Sequence, residues 1–238
     1  MTKKAKIVPA EAGAVKRRGP KPTLTADQIA RAAIRVADAE GLAAVSMQRI
    51  AHEVQVTTMA LYRYFSNKAA LIDLMIDTAG GPAPTLAVGF KGWRAPLKEW
   101  TRRCASIYHN HPWFLQAVSA GRRLMGPNEL EWLDGAFRLL GDAGLGPQEQ
   151  HQAFLLLIGQ VRSNAEFSAG GPRGLSARQW RTAMRKSLGK QRDRYPALMA
   201  AIDAGAFGRS PEDALEFGLN CILDGIECVV SGHGGHGG

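Results

Sequence analysis

The residues that could do chemistry in this 238-residue chain are densest between Ser46 and Leu71. Ser46 and Thr57 can each cap a short helix, and Gln55-Val56 breaks the periodicity between them. Met47, Ile50, Ala51 and Val54 share one face of the first segment, Ser46–Val54. Leu61 and Phe65 share one face of the second, Thr57–Tyr64. Two short helices across a tight turn make a helix-turn-helix. With Leu61 and Phe65 turned inward, Thr57, Thr58, Met59, Tyr62 and Arg63 face outward. Hydroxyls and helix N-terminal amides suit phosphate oxygens, and a threonine methyl or Met59 can pack on a thymine methyl. Lys68, opening the next helix, adds a phosphate contact. The implied chemistry is non-covalent reading of a DNA major groove.

Other elements must hold this pair. Thr25 and Gln28 form a capping-box pattern, and Ile29, Ala33 and Val36 continue it as one face of a helix over Thr25–Glu40, ended by Gly41. A fourth helix turns Leu71, Leu74 and Met75 inward and stops at Gly80-Gly81-Pro82. Further glycine and proline breaks leave helical windows near 91–109, 113–123, 128–143, 148–168, 176–190, 197–204 and 212–230. No window alternates with period two, so the expected fold is all-α. Its expected plan is a basic, disordered arm over 1–23 and a three-helix helix-turn-helix domain over 24–80. The fourth helix links that domain to a larger helical domain over 81–230, with a flexible tail over 231–238.

The charge is localised. Residues 1–23 hold seven Lys/Arg and one Glu, and residues 173–194 hold eight basic residues and one acidic. Such patches favour a polyanion without choosing which. The arm residues Lys16, Arg17, Arg18 and Lys21 can track phosphates or enter a minor groove. The arm lacks the apolar face that membrane binding would need, and no apolar run is long enough to span a bilayer. A cytoplasmic location is expected. Three cysteines, with no Cys-x-x-Cys pair, make neither a disulfide framework nor a zinc site; no metal or cofactor is expected.

The run from Ser46 to Leu71, above all Leu61-Tyr-Arg-Tyr-Phe-Ser-Asn-Lys-Ala-Ala-Leu71, resembles the DNA-binding domain of TetR-type (TetR/AcrR) transcriptional regulators. The likeness covers residues 24–75. It departs at Gln55, where the family usually has glycine; a non-glycine residue at positive φ is costly but tolerable. The resemblance places DNA contacts on Thr57, Thr58, Met59 and Tyr62, with support from Ser46, Gln48, Tyr64 and Lys68; Tyr64 could instead simply pack. It also implies a C-terminal domain that binds a ligand and dimerises. His109–Phe114, His-Asn-His-Pro-Trp-Phe, is similar to actinobacterial-style members.

Within the C-terminal domain, 212–230 is apolar around much of its circumference, with Leu215, Leu219, Ile222 and Ile226 on one side and Gly218, Cys221 and Gly225 on another. Together with 148–168 it could form a two-fold, four-helix interface, or serve as an intramolecular core helix. A dimer would set two recognition helices on a palindromic operator. For an unknown small-molecule effector, the candidates are Trp100, Tyr108, Trp113, Phe114, Phe137, Gln160, Asn164 and Phe167, from an inventory that also holds Trp93, His111 and Trp132. Plain core packing competes for every aromatic. Gln160 and Asn164 share a helix face and could orient a ligand, bond across a dimer or face solvent. Acidic residues are sparse in this inventory, so a cationic effector is not specially favoured. Arg178, Arg181 and Arg185 oppose Trp180, Met184 and Leu188 on an amphipathic basic helix, most simply a solvated face. Cys221 and Cys228 are expected to be buried and inert.

The function expected is a homodimeric repressor released from its operator by a small molecule. The rivals are a nonspecific DNA-compacting protein and an enzyme using Cys104 with His109 or His111, for which no flanking motif exists.

Overall fold

The computed structural model describes residues 24–86, 92–121, 125–168, 177–206 and 210–233. Among them every regular element is helical. The arm residues Lys16, Arg17, Arg18 and Lys21 lie outside the described residues.

Helix α1 (Ala26–Glu40) begins as its sequence requires. Thr25 Oγ1 accepts from the Gln28 amide at 3.2 Å, and Gln28 Oε1 accepts from the Thr25 amide at 3.0 Å. A 3-10 turn at Leu42–Ala44 leads to α2 (Met47–Glu53), α3 (Thr58–Leu61) and α4 (Lys68–Gly80). The inward faces are those the periodicity predicts: Ile29, Ala33, Val36, Met47, Ile50, Ala51, Leu61, Phe65, Leu71 and Met75 are buried. Each large aliphatic among them contributes about 1.5–3 kcal/mol by leaving water.

The larger part comprises α5 (Arg94–Asn110), α6 (Trp113–Ser119), α7 (Pro127–Asp142), α8 (Pro147–Ser168), α9 (Ala177–Leu188), α10 (Pro196–Asp203) and α11 (Pro211–His233). Helix α8 is central, packed against α5, α7 and α11, while α4 packs on both α1 and α7. The core does not break at residue 80. One cluster runs from Ile29 and Leu61 through Leu71, Met75 and Ile76 to Trp100, Tyr108, Trp113 and Phe114. A second joins Leu97, Leu140 and Leu157 to Leu219, Leu223 and Ile226. A small third one, Leu188, Met199 and Ile202, holds α9 to α10.

Two expectations change. Helix α11 runs to His233, past the expected boundary at 230. Cys221 and Cys228 are exposed, and Cys104 is the buried cysteine. Leu215, Leu219, Leu223 and Ile226 form the buried face of α11, which turns both cysteines outward. The side chains of Trp180 and Arg181 lie outside the described residues. Arg185 of the basic helix pairs with Asp203 at 2.7 Å.

Candidate nucleic-acid interface and ligand cleft

Three successive helices are capped by side chains at the end that would meet DNA. Ser46 Oγ accepts from the Arg49 amide at 3.1 Å, Thr57 Oγ1 from Ala60 at 3.2 Å and Asn67 Oδ1 from Ala70 at 2.9 Å. The Thr57 hydroxyl is thus engaged, leaving its methyl for a base edge. Helix α3 is a single turn, shorter than the expected Thr57–Tyr64. The amides of Tyr64 and Phe65 both turn back to the Leu61 carbonyl, at 2.9 and 3.1 Å, which lets Phe65 re-enter the core. Gln55 sits at φ 55° in the connecting turn, the left-handed conformation that glycine would hold more cheaply. The next amide, Val56, closes the turn on the Ala51 carbonyl at 2.9 Å.

Met59 is 76% exposed and Tyr62 47% exposed, and Gln48, Thr57, Arg63 and Lys68 are also open to solvent; Thr58 is half-buried. Lys68 stands in the first turn of α4, which has no acidic residue. A cation there opposes the helix dipole, an arrangement an incoming phosphate would relieve. Tyr64 plays a structural part. Its hydroxyl donates to the Leu24 carbonyl at 2.7 Å, fixing the point where the basic arm meets α1. Arg49 is held between Glu40 and Glu53, at 3.0 and 2.7 Å.

The far end of α4 is built into the larger part. The residue at the N-cap of α7 is Gly126, which has no side chain to cap it. Asp77 of α4, only 4% exposed, supplies the cap: its Oδ1 accepts from the Glu129 amide at 3.0 Å and its Oδ2 from Asn128 Nδ2 at 3.0 Å. A Cβ on residue 126 would lie 2.2 Å from the Asp77 carboxyl, so only glycine fits. One turn on, Trp132 Nε1 donates to the Gly81 carbonyl at 3.0 Å, and Trp100 Nε1 donates to the Trp132 carbonyl at 3.2 Å. A second joint ties α1 to the loop before α6. The Trp113 indole donates to Asp38 Oδ1 at 2.6 Å, and His111 Nδ1 lies 2.8 Å from the same oxygen.

Trp100 is also a wall of a cleft of about 510 Å³, a drug-sized volume. Its apolar lining includes Pro84, Leu86, Trp93, Pro96 and Leu139, and Glu131, Asp134, Arg138 and Asp142 of α7 line it too. Of the eight residues expected to bind a ligand, the cleft takes only Trp100. Tyr108, Trp113 and Phe114 are buried, with rings 5.0 Å (Tyr108–Phe114) and 5.9 Å (Trp113–Phe114) apart. Burial pushes the Tyr108 hydroxyl above its ordinary pKa, against the opposing pull of Arg162. Phe137 packs on Phe154 at 5.8 Å. Gln160 Nε2 donates to the Ala214 carbonyl at 3.1 Å and Asn164 Nδ2 to the Pro211 carbonyl, stapling α8 to the first turn of α11 within one chain. Gly218 leaves the room this needs, since a Cβ there would meet Gln160 at 2.3 Å. Phe167 is exposed. The cleft's charged α7 face, spaced three to four residues apart, reads in sequence as an ordinary solvated face.

Burial holds the Cys104 thiol protonated, its pKa raised well above the usual value, while His109 on the same helix is exposed. Burial thus disfavours the thiolate that a nucleophile would need.

A capped helix-turn-helix on a larger helical body defines a DNA-binding regulator. The sequence agrees in both parts: residues 29–75 match the family of bacterial regulatory proteins of the tetR type, and residues 87–230 match the tetracyclin repressor-like C-terminal domain. The chain belongs to the TetR family of transcriptional regulators and is not an enzyme. It is 39% identical to the transcriptional repressor DrrR1 of Streptomyces coeruleorubidus, over 90% of this chain and 81% of that protein. It is similar to the crystal structure of apo ActR from Streptomyces coelicolor, with a TM-score of 0.77 at 25% identity, over 90% of this chain and 100% of that one. ActR in complex with (S)-DNPA superposes with a TM-score of 0.72 at 26% identity, covering 85% of this chain and 96% of that one.

Proposed function

We propose that this protein is a homodimeric repressor that holds a palindromic operator and releases it when a small molecule fills the cleft beside Trp100. The hydrogen-bonded path along α4 carries this reading. Lys68 stands at the DNA end of the helix. At the other end Asp77 and Gly81 are bonded to α7, and Trp132 and Trp100 continue the path to the cleft wall. An occupant that shifts Trp100 or the 83–86 segment therefore pulls on the helix that carries Lys68. Its leverage is limited to the difference in its affinity for the two arrangements. ActR, which shares this fold, has been crystallised in complex with (S)-DNPA, and this supports a bound ligand here.

The dimer is proposed through α8 and α11. Leu155, Leu156 and Phe167 on α8 and Phe217 and Val229 on α11 are exposed in the single chain. Between them Cys221, Gly225 and Cys228 keep the α11 surface low enough for a second helix. A two-fold pair would place the recognition helices about 34–36 Å apart, or a multiple of it. Such a protein acts at the chromosome, in the bacterial cytoplasm.

Selection from a random duplex library at near-physiological salt, with the native protein and Tyr62→Ala, tests the reading. An enriched palindrome, lost in the variant, is the expected result. Salt-sensitive binding without enrichment would replace the specific regulator by a DNA-compacting protein.

A further inference from the structure

The charge on the cleft narrows what can enter it. Among the described residues four charged side chains line it, all on one face of α7: Glu131, Asp134 and Asp142 against Arg138. None of the four is in an ion pair among the described residues. Arg138 stands four residues from both Asp134 and Asp142 and can offset one of them. Among the described lining residues two negative charges remain, over a floor of Trp93, Trp100, Pro96 and Leu139. The Trp100 indole N–H is committed to the Trp132 carbonyl and its ring is only 2% exposed, so the accessible aromatic surface of the cleft is the half-buried Trp93. Indole faces attract cations as well as flat rings.

We propose that the cleft selects a flat aromatic molecule carrying a positive charge, its rings against Trp93 and its cationic group toward Glu131, Asp134 and Asp142. This rests on the cleft being the effector site. An anionic aromatic of equal size would bring its charge against two uncompensated carboxylates, and a neutral one would gain nothing from them.

The test compares three tricyclic probes on the full-length protein without DNA: proflavine (cation), acridone (neutral) and anthracene-9-carboxylate (anion). Binding is followed by quenching of indole fluorescence and by the shift in melting temperature. Proflavine should bind about tenfold tighter than the other two, a ratio that shrinks with added salt. E131Q/D134N/D142N should bring proflavine to the level of acridone and leave acridone unchanged. The three positions are exposed, so the variant should fold, and unchanged acridone binding verifies it. If anthracene-9-carboxylate binds as tightly as proflavine, or proflavine ignores the triple variant, the cationic class is wrong while the effector cleft stands. If none of the three quenches or stabilises the protein, the cleft is not a site for flat aromatics and this proposal falls.

Discussion

Gln55 departs from its family's usual glycine at a backbone position that favours glycine. It holds φ 55° in the turn between α2 and α3. The left-handed conformation costs a side-chain-bearing residue about 1–2 kcal/mol, of which glycine's greater freedom in the unfolded chain takes back about 0.5–1 kcal/mol. Gln55→Gly should therefore raise stability by up to about 1.5 kcal/mol in thermal or urea unfolding, and Gln55→Val should lower it. The turn was legible because Gln55-Val56 interrupts a clear apolar period. Other residue roles were not. Tyr64 is spaced as a DNA contact, but only the fold brings its hydroxyl to Leu24, forty positions away. Asp77 looks like any polar residue on α4. Its value as a cap depends on Gly126, and nothing local in the sequence joins the two. Removing the cap by Asp77→Ala strands the Glu129 amide and Asn128, and should cost about 2–3 kcal/mol. Gly126→Ala should cost at least as much, because its Cβ would overlap Asp77; both are measured by chemical denaturation.

Among the helices, α5 and α11 are joined by charge along their length. Arg94 pairs with Asp224 and Glu227, Lys98 with Glu216 at 3.0 Å, and Arg102 with Glu216 at 2.6 Å. The Arg102 guanidinium, aided by Lys98, draws the Glu216 carboxyl from its ordinary 4.5 down to about 2. A lowered carboxylate pKa stabilises the fold fully above pH 4.5, and that stability drains away as the pH falls toward 2. Glu216→Gln should therefore lower stability at pH 7 by less than about 1 kcal/mol, since the pair is partly exposed, and the gap to the native protein should close below pH 3. Unfolding curves at pH 7, 4, 3 and 2 measure it. The helices themselves were largely legible, because caps and glycine or proline breaks are local signals. Their partners were not. The spacing of Leu215, Leu219 and Ile226 marks a buried face on α11, but which face a neighbour covers is decided by the α8 staple at Gln160 and Asn164. The cysteines consequently point outward.

For the whole molecule, the exposed apolar strip on α8 and α11 makes a firm prediction. Phe217→Arg should yield a monomer by light scattering that retains its fold by circular dichroism, and its affinity for a palindromic site should fall at least about a hundredfold. The all-helical architecture followed from the lack of any alternating segment. The cleft did not follow, because its walls come from α5, α7 and residues 83–86, far apart in the chain, and half of its character is charge on a face that looks solvated. The cap that Asp77 lends to α7 also sets a rule for transplantation. Residues 29–75, the span that matches the family's DNA-binding module, stop two positions short of it. A graft that exchanges the head of this regulator and joins at residue 75 keeps the native Asp77 with its Gly126. A junction after residue 80 carries in a foreign residue opposite that glycine, and the sensor half then inherits a frayed helix beside its own ligand wall.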